Sequence, residues 1–316
     1  MRILVLTNMY PIPERPWYGI FVQEQVEDLR QLGLDVSVAF INGRSSRANY
    51  LRGAAKLRHL LRRRQPFDLV HAHYGLTGAV GASQRQVPVV TTFHGSDCNG
   101  DSGWQTAVSW IVARVSTPIF VSRELAERLG RPGAAVIPVG IDLALFQPRD
   151  RREAREALGW PADGAYALLP GSRTVARKRA DLFDAALEQA RTTVPELRGV
   201  SLEGVSRREV SLIMNAVDVV VMTSDHEGSP VAVKESLACL TPVVSVPVGD
   251  VRETLDGLPG CAVVPRDSLQ LGDALVEALA AGRPPELRER ATPYSRPLVA
   301  EQVAAVFRDV GSRSGS

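Results

Sequence analysis

The feature that most limits how this chain can fold is an alternation of short, almost uninterrupted apolar runs with stretches of helical period. Ile3–Leu6, Leu34–Ile41, Leu69–Ala72 and Val87–Thr92 read as strands, and Ile20, Val22, Val26, Leu29 and Leu32 fall on one face of a helix that Gly33 stops. Further helical stretches lie around Leu51–Arg64 and Leu76–Arg85. Strands that are apolar at nearly every position are buried on both faces. The sheet they form is therefore parallel, with helices covering each side.

The alternation breaks at Arg149–Glu156, where Pro148 and an Arg-Asp-Arg-Arg sequence read as a connection, and then restarts. Tyr166–Leu169, Val217–Met222, Val243–Val246 and Ala262–Val264 are the strands of a second sheet. Helices fall between them near Ala180–Arg191, Ser206–Asn215, Val231–Cys239 and Leu269–Ala280. Ser206 and Glu209 have the spacing of a capping box. Two α/β domains follow, over residues 1–148 and 149–295, with the crevice between them as the expected ligand site. Residues 296–316 add a last helix, Leu298–Val310, and a tail, Gly311–Ser316, whose composition predicts disorder.

Composition removes several function classes. With 37 basic and 35 acidic side chains the formal charge is only +2, so nothing global asks for nucleic acid or another polyanion. Cys98, Cys239 and Cys261 are odd in number and widely spaced, which fits reduced core thiols rather than a disulfide framework or a zinc site. No Asp-x-Asp sequence or His/Asp cluster proposes a metal, and no cofactor is expected. The apolar run at Ile3–Leu6 is too short for a signal-peptide core and no later run reaches membrane-spanning length, so a cytoplasmic protein is expected.

The chemistry concentrates in Ser224-Asp225-His226-Glu227-Gly228-Ser229-Pro230-Val231-Ala232-Val233-Lys234-Glu235, which follows a strand and opens a helix. Gly228 and Ser229 allow a tight loop whose backbone N–H groups point at an anion. The helix that begins near Pro230-Val231 adds the positive end of its dipole. Glu235, about one turn in, can accept hydrogen bonds from the vicinal hydroxyls of a ribose. A second loop, Gly171-Ser172-Arg173 followed by Lys178, ends another strand at the ligand edge. A loop at that place faces the ligand crevice of an open α/β sheet, so its two cations are candidate ligand contacts. Arg177 and Arg179 are read as solvated.

These segments resemble the Glu-x7-Glu motif of family 4 of the retaining glycosyltransferases (glycosyl transferases group 1). The likeness extends to Met214-Asn215-Ala216-Val217-Asp218-Val219, to Thr241-Pro242-Val243-Val244 with Gly249 and Glu253, and to Val136-Ile137-Pro138-Val139-Gly140-Ile141-Asp142. The resemblance implies a GT-B fold, two Rossmann-like domains facing a central cleft, with an N-terminal acceptor domain and a C-terminal donor domain. It implies that Glu235 binds the ribose and Glu227 the hydroxyls of the donor sugar, and that Arg173 and Lys178 contact the diphosphate. His94, in Phe93-His94-Gly95-Ser96-Asp97, would lie against the donor sugar, and Gly19 would form part of a loop near the phosphates. The chain departs from the pattern in three places. Tyr18-Gly19 stands where two glycines are common, and Val139 replaces the usual Asn. Only Val200–Leu202 occupies the stretch between Arg191 and Ser206, so the second domain is trimmed by about one β-α unit. Ser122, before another helix, is read as its N-cap.

The implied reaction is transfer of a sugar from a UDP- or GDP-sugar to a sugar, lipid-linked or small-molecule acceptor hydroxyl, with retention, in polysaccharide, glycolipid or secondary-metabolite glycoside synthesis. Arg173 and Lys178 would stand in for a divalent metal at the diphosphate. Two other readings use the same fold. One is a sugar-nucleotide epimerase, and the other is an inactive homologue that binds a nucleotide sugar or a protein partner. Residues 44–64 carry eight basic side chains and no acid, with Leu51, Ala54, Leu57, Leu60 and Leu61 at helical spacing. Such a helix fits the anionic inner face of a membrane at about 1 kcal/mol per basic residue. It fits equally well a helix with leucines in the core and arginines in water.

Overall fold

The computed structural model describes residues 1–15, 17–62, 67–99 and 103–314. The chain divides into two compact units, Met1–Gly140 with Arg296–Ser316, and Ile141–Ser295. Unit 1 runs β1 (Arg2–Thr7), α1 (Ile20–Gln31), β2 (Asp35–Phe40), α2 (Ala48–Leu61), β3 (Leu69–His73), α3 (Gly75–Ala82), β4 (Val89–Phe93), α4 (Gly103–Val115), β5 (Thr117–Phe120), α5 (Arg123–Arg128) and β6 (Ala135–Val136). Among the described residues these strands form a six-stranded parallel sheet in the order β2-β1-β3-β4-β5-β6. Unit 2 runs α6 (Arg151–Ala157), β7 (Tyr166–Leu169), α7 (Ala180–Arg191), β8 (Arg198–Ser201), α8 (Arg207–Ala216), β9 (Val219–Met222), α9 (Val231–Ala238), β10 (Val243–Ser245), α10 (Val251–Leu255), β11 (Ala262–Val263), α11 (Ser268–Ala281) and α12 (Glu286–Ala291). Its five parallel strands are ordered β11-β10-β9-β7-β8.

Apolar strands buried on both faces explain both sheets. In unit 1, Ile3 and Val5 of β1 join a core with Val22, Val26 and Leu29 of α1, while Leu4 and Leu6 point to the other face and meet Leu57 and Leu61 of α2. The last helix, α13 (Arg296–Ser314), closes the first of these layers through Val299, Val303, Ala304, Phe307 and Val310. Arg296 fixes its start by donating to the Asp28 carboxylate of α1, Nη2 to Oδ1 at 2.7 Å. The helix continues to Ser314, so the disorder expected from Gly311 onward does not begin there; Gly315 and Ser316 lie outside the described residues.

The change of unit falls at Gly140–Ile141 rather than at Pro148, because Ile141 and Phe146 are fully buried in the core of unit 2. The charged stretch read as a connection is instead α6. Asp150 caps it by accepting from the backbone of Arg152 and Glu153. Arg155, 4% exposed, donates to the carbonyls of Ala216 and Ala162 and to the Asp218 carboxylate at 2.7 Å. Charge that looks like linker in a sequence is here satisfied inside a fold.

In α2, Leu57 and Leu61 belong to the core and only Leu51 stands out at 78% exposure, so the leucine stripe is not available to insert into lipid. Arg63 and Arg64 of that basic stretch lie outside the described residues. Ser122 takes the N-cap position of α5 in extended backbone, yet its hydroxyl is buried without a partner and makes no capping bond. Helix α4 and strand β5, absent from the sequence reading, complete the far side of the unit 1 sheet. Among the described residues no helix is long and apolar enough to cross a membrane.

Candidate functional site

In a parallel sheet the loops that leave the C-terminal ends of the strands gather at one edge, and in unit 2 those after β7, β9 and β10 are joined there by hydrogen bonds. Thr223 donates through Oγ1 to the carbonyl of Lys178 at 2.7 Å, and the backbone N–H of Asp225 donates to the carbonyl of Arg177 at 2.9 Å. Lys178 closes a single 3₁₀ turn, Ala176–Lys178, and its stem lies along Gly171. A Cβ at Gly171 would come within 2.9 Å of Lys178 Cε, so the glycine leaves the lysine its path. The ammonium reaches Glu227 Oε1 at 2.7 Å, and Arg177 Nη1 reaches the same oxygen at 2.9 Å. Burial raises the Glu227 carboxyl, but Lys178 and Arg177 outweigh it and hold the group below its ordinary range. At this contact one carboxylate meets two cations, so positive charge is in local excess, as an anion site requires.

Arg177, read as solvated, is therefore part of the site, whereas Arg173 is not brought to it. The Arg173 guanidinium pairs with Asp184 at 2.5 Å in an exposed position, and its backbone N–H donates to Glu203 at 2.9 Å. Arg179 is also not simply solvated: it pairs with Asp181 and Asp225. Its backbone is left-handed, with φ 52°, where the 3₁₀ turn gives way to α7.

The segment Gly228-Ser229-Pro230-Val231 opens α9, with Pro230 at the N-cap position and no side chain capping the helix. The side chain of Ser229 is turned inward. It donates to Asp250 Oδ2 at 2.7 Å and accepts from Lys234 Nζ at 2.7 Å, and Lys234 also binds Asp250 at 2.7 Å. The hydroxyl proton is taken by Asp250, so the donor that Ser229 can offer an anion is its backbone N–H. Lys234 is fully buried and lies 4.9 Å from the centre of the Tyr294 ring, so its charge depends wholly on this network. Gly249, with φ 53°, presses on the loop from below: a Cβ there would stand 2.5 Å from the carbonyl oxygen of Gly228. Glu235 is 3% exposed and accepts from Arg207 Nη1 at 2.5 Å. Burial raises its carboxyl in spite of Arg207. The two glutamates of the motif thus have separate cationic partners and opposite shifts. Arg207, the residue after the cap Ser206, carried no sequence signal of this role.

In unit 1, His94 follows β4 and its ring meets Phe21, His73 and Tyr74, with centroids at 5.0, 5.3 and 4.6 Å. Its Nε2 is 3.0 Å from His73 Nδ1. Burial, reinforced by the neighbouring imidazole, holds His94 well below its ordinary range, and burial brings His73 down to about 3, so both rings are neutral near pH 7. The loop is fixed by Asp97, whose carboxylate accepts from the backbone N–H groups of His94, Gly95 and Gly75 at 3.1, 2.9 and 3.0 Å. Gly19 sits at φ 72°, where a Cβ would lie 2.4 Å from the Met9 carbonyl carbon, and its carbonyl accepts from Val22 in the first turn of α1. Among the described residues no group of three or more His, Cys, Asp or Glu side chains is placed to hold a metal ion.

Residues 7–145 match the family model for Glycosyltransferase Family 4, and residues 175–281 the model for glycosyl transferases group 1. A D-inositol 3-phosphate glycosyltransferase of Xylanimonas cellulosilytica is 30% identical over 77% of this chain and 71% of its own length. A Bacillus subtilis protein named for teichuronic acid biosynthesis, TuaC, is 26% identical over 87% of this chain and 88% of its own. Among solved structures, sucrose-phosphate synthase of Thermosynechococcus elongatus superposes with a TM-score of 0.80 over 99% of each chain at 18% identity. HepE of Anabaena, solved with UDP-glucose, gives 0.71 over 98% of this chain and 100% of its own, also at 18% identity. The structural likenesses establish the GT-B fold with its two Rossmann-like domains. Sequence and fold agree: the chain belongs to family 4 of the glycosyltransferases, in glycosyl transferases group 1.

Proposed function

We propose that this glycosyltransferase moves a sugar from a nucleoside diphosphate sugar to an acceptor hydroxyl, keeping the anomeric configuration of the donor and using no metal ion. The observation that carries the reading is the cluster of Lys178 and Arg177 on Glu227 beside the uncapped start of α9. Cations and helix N–H groups suit a diphosphate, and a buried carboxylate among them suits sugar hydroxyls. Glu235 takes the ribose diol, and Lys178 and Arg177 take the diphosphate. UDP is the first nucleotide to test, because HepE was solved with UDP and UDP-glucose.

In the proposed step the bond from the anomeric carbon to the diphosphate oxygen breaks, and the acceptor oxygen bonds to that carbon on the same face. The acceptor proton passes to the departing phosphate oxygen, so no protein nucleophile is needed. Lys178 and Arg177 stabilise the charge that grows on the leaving group, which lowers the barrier as well as binding the donor. Proton NMR of the first-formed product, with the reaction run in excess EDTA, tests both parts. The expected result is a product with the donor's anomeric configuration, formed at an undiminished rate. An inverted product would remove same-face transfer, and a rate abolished by EDTA and restored by a divalent cation would remove metal independence.

A further inference from the structure

A cavity of about 620 Å³ opens in unit 1 between α2 and α4, and none of the residues assigned to the donor lines it. Burial orders its lining from floor to mouth. At the floor lie Ser109 and Asp97, 1% and 7% exposed, the latter in the loop that carries His94. At the mouth are Leu51 and Trp104, 78% and 46% exposed, with Arg44 and Arg47. Apolar walls from both helices join the two ends.

The charge at the mouth is uncompensated. Arg44 lies over the Tyr18 ring at 5.7 Å and Arg47 over the Trp104 ring at 5.5 Å, and among the described residues neither guanidinium meets an acid. Aromatic faces hold the two groups in place without neutralising them. Asp97, the one acid among the described residues of the lining, has its carboxylate occupied by the backbone N–H groups of His94, Gly95 and Gly75. Exposed large apolar side chains, together with cations and a deep polar floor, complement an amphiphilic anion. It carries hydroxyls at one end, an anion behind them and an apolar chain after that.

We infer that this cavity is the acceptor site and that the acceptor is a chain-bearing phosphate ester. Its hydroxyl end reaches the floor beside the His94 loop, its phosphate meets Arg44 and Arg47, and its chain lies on Leu51 and Trp104. The inference rests on the reading of unit 1 as the acceptor-binding part of a transferase.

Calorimetric titration of the whole chain with dodecyl phosphate below its micelle concentration tests it. Inorganic phosphate and dodecyl maltoside serve as the anion alone and the neutral chain alone. UDP titrated in parallel reports on the donor site. The expected result is saturable binding of dodecyl phosphate, at least about tenfold tighter than either control. It should weaken by about tenfold or more in Arg44→Ala/Arg47→Ala and measurably in Trp104→Ala, with UDP binding unchanged in both. These side chains are exposed, so the variants should fold, and unchanged UDP binding verifies it. Absence of saturable binding, equal affinity for either control, or an unaltered affinity in the double variant overturns the assignment. If dodecyl phosphate behaves as expected while UDP does not bind the wild type, the UDP donor reading fails and the cavity assignment stands.

Discussion

Two cations converge on one carboxylate oxygen, Glu227 Oε1, and this residue-scale arrangement makes part of the fold's stability depend on pH. The folded pKa of Glu227 lies below the ordinary value of 4.5. Its ion pairs therefore contribute stability that is fully present above 4.5 and is lost as the pH falls through the lower, folded value. Glu235 has the opposite sign: burial lifts its carboxyl, so its contribution is greatest below 4.5 and declines as the pH rises through the raised value. We predict that Glu227→Gln is less stable than the wild type in urea unfolding near neutrality and that the gap narrows as the pH falls below 4.5. A gap that stays constant with pH would show that the pairing does not lower this pKa. Lys178, Glu227 and Glu235 were legible in the sequence because their spacing across a strand end and a helix start is specific. Arg177 was not, since four basic residues crowd Arg173–Arg179 and only the folded loop shows which of them turns to Glu227. Lys234 was equally hidden, because nothing in the sequence marks a lysine whose charge is fully buried against Asp250.

At the scale of elements, glycine carries constraints that composition conceals. Gly249 follows β10, and any side chain there would strike the Gly228 carbonyl at 2.5 Å while occupying a left-handed backbone. Gly249→Ala should cost at least about 1–2 kcal/mol from backbone strain alone. Its larger effect should fall on the loop: nucleotide binding should weaken by about tenfold or more, because the Gly228–Ser229 peptide must move. Paired thermal unfolding and nucleotide titration check this, and a variant that binds as the wild type does would show that the loop tolerates displacement. The elements themselves were mostly legible, since apolar strands and periodic helices declare themselves. The exceptions have a common cause, which is that the partners of a polar side chain are not written beside it. Helix α6 reads as a connection because its charges are satisfied by distant carbonyls and Asp218. Ser122 sits at a cap position and yet does not cap, because its hydroxyl is directed into the core.

For the whole molecule, the alternation of strands and helices, interrupted once, was enough to indicate two parallel-sheet domains. The sequence puts the unit boundary too late because Ile141 and Phe146 are apolar residues outside any helix or strand, and their core partners lie far along the chain. The return of α13 to unit 1 follows from its apolar face, Val299, Val303 and Phe307, meeting α1 and β1. Family membership fixes the transferase activity, and the central claim beyond it is that unit 2 holds a nucleoside diphosphate sugar through Lys178, Glu227 and Glu235. The most direct test is calorimetric titration of the wild type, Lys178→Ala and Glu235→Ala with UDP, GDP and ADP and their glucose conjugates. The expected result is saturable binding of one nucleoside diphosphate by the wild type, weakened by about tenfold or more in each variant. Binding of none of them by the wild type, or equal binding by all three proteins, would contradict it.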